Sequence, residues 1–273
     1  MQAGDLPAMH RLVQAMSWPH RLEDCAQLLH LGAGTVAVDA SGDVIGVGMR
    51  WGFGRDAGTI GMVLVAPDQQ GRGIGRALMT ALIADSQPRA LMLNATAEGL
   101  GLYQKLGFHA LGQVRQHQAR LTEERVVSAG PAVPTRRAIP TDHAVLSALD
   151  AAAFGADRSA LVGRLLTIGH AWITGSDRPT GFAILRPFGR GMMIGPILAP
   201  DEEAAVALVA AAAKAAPSGV LRVDIPAEAS RLGHWLTGAG LPAVDTVTTM
   251  LLGEWPRTAS EPRRFGLVLQ ALG

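Results

Sequence analysis

Several common functions are excluded by what this chain has little of. Its 273 residues contain a single cysteine, Cys25, so an intramolecular disulfide is impossible and a reducing compartment fits. That thiol reads either as a reactive group or, in line with usual cysteine burial, as a small hydrophobe inside the core. Charge is close to balanced at a net +1, which gives no reason to expect nucleic acid or an acidic membrane as partner. Long apolar runs are missing too. The longest, Ala204 to Ala216, is interrupted by Lys214 and falls short of a bilayer span. The first residues carry Asp5 and His10 and no apolar centre, so they do not read as a signal peptide. The eight histidines include no pair at helical i, i+4 spacing, and no metal is expected. Aromatics make up 4% of the chain, and Tyr103 is its one tyrosine. A soluble, cytoplasmic protein of two domains is the expectation from length and from an apolar content of 48%.

What is present concentrates in one segment. Thr59 to Val65 reads as an apolar strand, Gln70-Gly71-Arg72-Gly73-Ile74-Gly75-Arg76 as a glycine-rich turn, and Arg72 to Ala84 as the helix it opens into. Glycines keep side chains away from the backbone and allow the unusual φ values of a tight loop. The first N–H groups of the helix lack intrahelical partners and lie at its positive end, and Arg72 and Arg76 add full charges. Together these make a seat for a phosphate or diphosphate. A dinucleotide fingerprint would place its glycines at the strand end and a carboxylate about twenty residues on; the next strand, Leu91-Met92-Leu93-Asn94, supplies none. The Gly-Lys-Ser/Thr of a P-loop is also absent.

The order Gln70-x-x-Gly73-x-Gly75, then Leu93-Asn94-Ala95-Thr96, then Leu102-Tyr103-Gln104-Lys105-Leu106-Gly107-Phe108 resembles the GNAT N-acetyltransferase superfamily over residues 32 to 115. The resemblance implies an α+β fold with a mixed, mostly antiparallel central sheet flanked by helices. It implies acetyl-CoA as co-substrate, with its diphosphate on Gln70 to Arg76. Leu64 and Val65 would splay from the neighbouring strand and offer backbone groups to the pantetheine arm, Asn94 would bond that arm, and Tyr103 would be the acid for the CoA thiolate. The implied reaction is direct transfer of an acetyl group to a primary amine in a ternary complex. The connection between the first two helices, with Trp18 and His20, is the expected acceptor wall. No carboxylate stands on the strand before the loop, so the general base is left open.

An internal repeat follows. Ile60-Gly61-Met62-Val63-Leu64-Val65-Ala66-Pro67-Asp68 returns as Ile194-Gly195-Pro196-Ile197-Leu198-Ala199-Pro200-Asp201, and Leu91 to Glu98 as Leu221 to Glu228. The offsets, 134 for Gly61 to Gly195 and 133 for Gly107 to Gly240, agree within one residue. Two copies of one fold are expected: residues 1–121 as the catalytic domain, a polar and proline-rich linker over 122–137, and a degenerate GNAT-like domain over 138–273. In the second copy Asp201-Glu202-Glu203 replaces the glycine-arginine loop and Leu236 stands in for Tyr103, so CoA should bind only to the first. Asp224 reads either as a group reaching a cleft shared by the two copies or, the expected role, as the cap of a helix at Ala227. The two copies can pack as a pseudo-dimer, leaving a monomer, or the chain can form a homodimer. A non-catalytic acyl-CoA sensor or scaffold is the alternative reading, separable by thiol release in an amine panel.

Overall fold

In the computed structural model, residues 1–87, 89–122 and 130–273 are described. The first half opens on two helices, Leu6–Ala15 (α1) and Leu22–Leu31 (α2). Their apolar faces, Met9, Leu12 and Val13 on one and Cys25 and Leu28 on the other, are buried against the sheet. Between them Ser17 takes φ 58° and Pro19 keeps the helices from running on. Asp5, at the N-cap of α1, makes no side-chain bond to that helix; its Oδ2 accepts from the Gln2 amide at 2.6 Å and closes the short turn Ala3–Asp5. The described residues ahead of α1 form no strand.

Three antiparallel strands follow, Ala33–Val38 (β1), Val44–Phe53 (β2) and Ala57–Val65 (β3). Then come helix Ile74–Ala84 (α3), strand Ala90–Ala95 (β4) parallel to β3, helix Ala97–Lys105 (α4) and the long strand His109–Leu121 (β5). β3, α3 and β4 lie within two residues of the expected Thr59–Val65, Arg72–Ala84 and Leu91–Asn94, because hydrophobic periodicity and glycine or proline punctuation coincide there.

The second half repeats the plan. Strand Thr135–Arg137 (β6) precedes helices His143–Phe154 (α5) and Ser159–Ile168 (α6) and strands His170–Thr174 (β7), Gly181–Phe188 (β8) and Gly191–Ala199 (β9). Helix Glu202–Lys214 (α7), strand Gly219–Pro226 (β10), helix Ser230–Gly238 (α8) and strand Ala243–Leu252 (β11) complete the copy. A short strand, Arg263–Gly266 (β12), has no counterpart among the described residues of the first half. Of the stretch read as a linker, 123–129 lie outside the described residues. Its last three residues are not linker: they form β6 against β7, and Arg136 makes a bidentate pair with Asp142 at 2.8 and 2.9 Å.

All strands belong to one sheet in the order β1-β2-β3-β4-β11-β5-β10-β9-β8-β7-β6, with β12 added on β9. Pairing is parallel only at β3–β4 and β9–β10 and antiparallel elsewhere, the mixed and mostly antiparallel sheet expected. The halves exchange their last strands. β11 of the second half lies between β4 and β5 of the first, and β5 lies between β11 and β10. The core follows the exchange, since Met250 of β11 is fully buried with Ile60, Leu93 and Phe108.

Candidate active site

Strands β3 and β4 pair only from Ala57–Thr59 to Ala90–Met92 and then separate. Beyond Thr59, no strand among the described residues pairs with the edge of β3 that faces β4. On its other edge β3 carries a bulge: Met62 and Val63 oppose Gly48 alone, and Met62 holds φ 54°, a left-handed conformation in a β-strand. The extra residue bends β3 away from β4, so a V-shaped gap opens with the backbone of Met62 to Val65 along one arm.

The glycine loop stands at the end of that arm. Gly71 and Gly73 have φ of 75° and 80°, and Gly73 is the N-cap of α3. Nothing lies within 4 Å of a side chain built at either glycine, so these glycines are required by backbone conformation and the space above them is open. Gly75 is helical, and an added methyl there would make only ordinary contact with Leu102. Ala77 makes the first intrahelical bond, to Gly73 O, so the amides of Ile74, Gly75 and Arg76 stand ahead of the ladder. The Gln70 side chain turns back to Val65 O at 3.2 Å, and Arg72 bonds Gln69. Arg72 and Arg76 are exposed. A diphosphate would meet helix amides, a positive helix end and two cations here.

The second half shows the same V and fills it. β10 leaves β9 after Ile194, and β12 takes the vacated edge, pairing with Ile197 to Ala199. Leu267 just beyond β12 donates to Asp224 O on β10 at 2.9 Å. At the N-terminus of α7, Asp201 accepts from the Ala204 amide at 2.8 Å, Glu202 accepts from the Leu232 amide, and Glu203 meets Arg231. Leu236 is fully buried. In this copy the edge is therefore taken, the Ala204 amide is occupied with carboxylates at the helix end, and the phenol is missing.

A cleft of about 250 Å³ lies beyond the open V. Ile60, Gly61, Met62, Asn94 and Thr96 line it from the first half, together with the Ser17 to His20 connection; Phe188, Arg222, Asp245 and Gln270 line it from the second. Trp18 and His20 are thus brought to the mouth of the V. His20 is nearly inaccessible, its ring 5.0 Å from Phe188 in an edge-on contact and 5.9 Å from Trp18. Burial, assisted by the Arg222 charge, pulls its pKa down to about 4, so the imidazole is neutral at physiological pH. Neither ring nitrogen has a hydrogen-bond partner among the described residues.

Asn94 lines the cleft, but both ends of its amide are engaged by the second half: Nδ2 donates to Gln270 O and Oδ1 accepts from Thr249, each at 2.7 Å. Tyr103 sits on α4, packed edge-on to Phe108 at 6.2 Å, and burial raises its phenol to about 12. Cys25 is buried, and burial pushes its thiol to about 12, which leaves it an inert core residue. Among the described residues no three His, Cys, Asp or Glu side chains gather as metal ligands would.

Asp224 does not cap a helix at Ala227. Its carboxylate is fully buried and holds the Arg222 guanidinium on the same strand, Nε to Oδ1 at 2.8 Å and Nη2 to Oδ2 at 2.7 Å. Ala227 bonds Gln113 O, and α8 begins only at Ser230. A buried carboxylate needs a charged partner more than a helix end needs a cap. Arg222, Phe188, Asp245 and Gln116 are the cleft residues that sequence reasoning missed. The signal available was Arg222 and Asp224 at alternate positions of an otherwise apolar strand, which put both on one face.

Comparison with known proteins agrees with this geometry. Two families, each described as an acetyltransferase (GNAT) domain, match residues 14–120 and 146–266. A Bacillus subtilis (strain 168) protein described as the uncharacterized N-acetyltransferase YitH is 30% identical over 96% of this chain and 93% of its own length. The fold matches a putative acetyltransferase of Pyrococcus horikoshii with TM-score 0.80 at 20% identity, over 100% of this chain and 94% of that one. A GCN5-related N-acetyltransferase of Sphaerobacter thermophilus matches with TM-score 0.67 at 14% identity, over 96% of both chains. The chain belongs to the GNAT N-acetyltransferase family, as two such domains in tandem, and is an acyltransferase.

Proposed function

We propose that the first half binds acetyl-CoA and transfers its acetyl group directly to a primary amine held in the cleft between the halves, in a cytoplasmic enzyme that needs no metal. The observation that carries this reading is the contrast between the two V-shaped gaps, one open beside a glycine loop and the other filled by β12. The diphosphate would rest on the amides from Gly71 to Arg76, with Gln70, Arg72 and Arg76 around it, and the pantetheine arm would lie along Leu64 and Val65. An N–H of β3 is the proposed donor to the thioester oxygen as charge develops there. Asn94 contacts the arm through whatever hydrogen-bonding capacity Gln270 and Thr249 leave it.

The amine lone pair attacks the carbonyl carbon and the C–S bond breaks. Tyr103, protonated at neutral pH, gives its proton to the departing thiolate and recovers one from the nitrogen as the amide forms. Free alkyl amines are almost wholly protonated at neutral pH. Asp245, the carboxylate among the cleft residues, draws the ammonium in and leads its proton to solvent. Trp18 and His20 form the acceptor wall. Calorimetry with acetyl-CoA followed by thiol release across an amine panel tests this. Binding with release supports it, whereas binding without release from any amine would reduce the first half to an acyl-CoA sensor.

A further inference from the structure

Arg222 is held in the cleft by its neighbour on the same strand. Two of the five N–H donors of a guanidinium are spent on Asp224 through the Nε–Nη2 edge. The other edge, Nη1 with the second hydrogen of Nη2, has no partner among the described residues, and Arg222 lines both the 250 Å³ cleft and a smaller one of about 150 Å³ beside it. The Arg222 side chain is 9% exposed. Its outward edge therefore meets those cavities while its body is packed 5.7 Å from the Phe188 ring. Such an edge presents two parallel N–H groups, the geometry that a carboxylate accepts.

The surrounding charge has the same sign. Asp24 is taken by Arg21 and by the Gly189 amide, and Asp224 by Arg222. Arg186, wholly buried beside them, bonds only Val268 O and the Met193 sulfur, and its Nε has no partner. Three guanidinium groups thus face two carboxylates, and His20 between them is neutral. Asp245 stands across the cleft from this cluster: Gln116 on β5 is in register with Asp224 on one side and Asp245 on the other. One wall offers an oriented cation and the other an anion.

We propose that the acceptor is an amine that also bears a carboxylate, and that the outward edge of Arg222 binds this carboxylate while Asp245 faces the amine. The proposal rests on reading the cleft as the acceptor site. It gives the second half a direct share in substrate choice, because Phe188, Arg222 and Asp245 all belong to it.

The test titrates the full chain, saturated with CoA, with L-amino acids and with the matching amino-acid amides, and follows thiol release from acetyl-CoA with the same pairs. The acids are expected to bind at least about tenfold more tightly than their amides. Arg222→Gln and Arg222→Lys should erase that ratio with CoA affinity unchanged; the lysine variant keeps a cation for Asp224 and guards against misfolding. Amides that bind as well as acids in every pair, binding of neither, or a ratio kept by Arg222→Lys would overturn the proposal. Acids bound in preference but never acetylated would leave the carboxylate site standing and sink the transferase reading. Amides acetylated as well as acids would do the reverse.

Discussion

His20 shows what a single buried side chain costs and what it reports. In the unfolded chain its imidazole titrates near 6.5; in the fold it titrates near 4. Between those values the unfolded chain holds more protons, so stability rises with pH through the window and is lost as pH falls from about 6.5 to about 4. The penalty approaches about 3 kcal/mol at the acid end. Denaturant unfolding at pH 7 and pH 4.5 should show this loss in the wild type and a smaller one in His20→Phe, which keeps the aromatic contacts. An equal loss in both would place the sensitivity elsewhere. Tyr103→Phe tests the proposed acid: kcat should fall about a hundredfold or more, with acetyl-CoA affinity within about twofold. Trp18 and His20 were legible because a proline-broken helix connection marks a loop. The burial of His20 was not, because its cover, Phe188, and the nearest cation, Arg222, arrive from the other half of the chain. Asp224 was misread for a different reason: its partner, Arg222, is two residues away on the same strand, and the need for that pairing became evident only once β10 was known to be buried on both sides.

Among elements, the glycine loop with α3 and its counterpart α7 separate the copy proposed to bind CoA from the one proposed not to. Gly73→Ala places a methyl in open space but forces φ 80° on an alanine, at a cost of about 1–2 kcal/mol. Its expected signature is weaker CoA binding with little change in the melting of the rest of the molecule. In α7, Asp201→Ala removes the one side-chain cap and should lower stability by about 1 kcal/mol. It should not create a second site, because β12 still occupies the edge of β9. Calorimetry should therefore return one CoA per chain for the wild type and for Asp201→Ala; a stoichiometry near two would refute the account of the second half. The carboxylates after Pro200 made this asymmetry readable from sequence. The stronger cause, β12, was hidden, since Arg263-Arg264-Phe265-Gly266 is too short to show alternation and gains its identity only from the edge it fills.

At the scale of the whole molecule, the repeat predicts two copies, and the sheet shows that neither is closed on itself. Removing the second half would strip β11 from between β4 and β5, leaving both with bare edges and taking Met250 out of a core built with Ile60, Leu93 and Phe108. Removing the first half would do the same through Leu121, which packs with Leu221, Leu208 and Val209. The exchange also uses the strand edges through which two separate copies would otherwise join, so we expect a monomer, with light scattering giving the mass of one chain. Cooperativity is the sharper test. Met250→Ala and Leu121→Ala each empty a core on the opposite side of the boundary and should cost about 2–5 kcal/mol. If the exchanged strands couple the halves, urea unfolding followed by circular dichroism and by tryptophan fluorescence will trace one coincident transition, and both variants will shift all of it. Two transitions, with Met250→Ala moving one and Leu121→Ala the other, would mean that the halves fold independently and that the shared cleft is only a docking of finished domains.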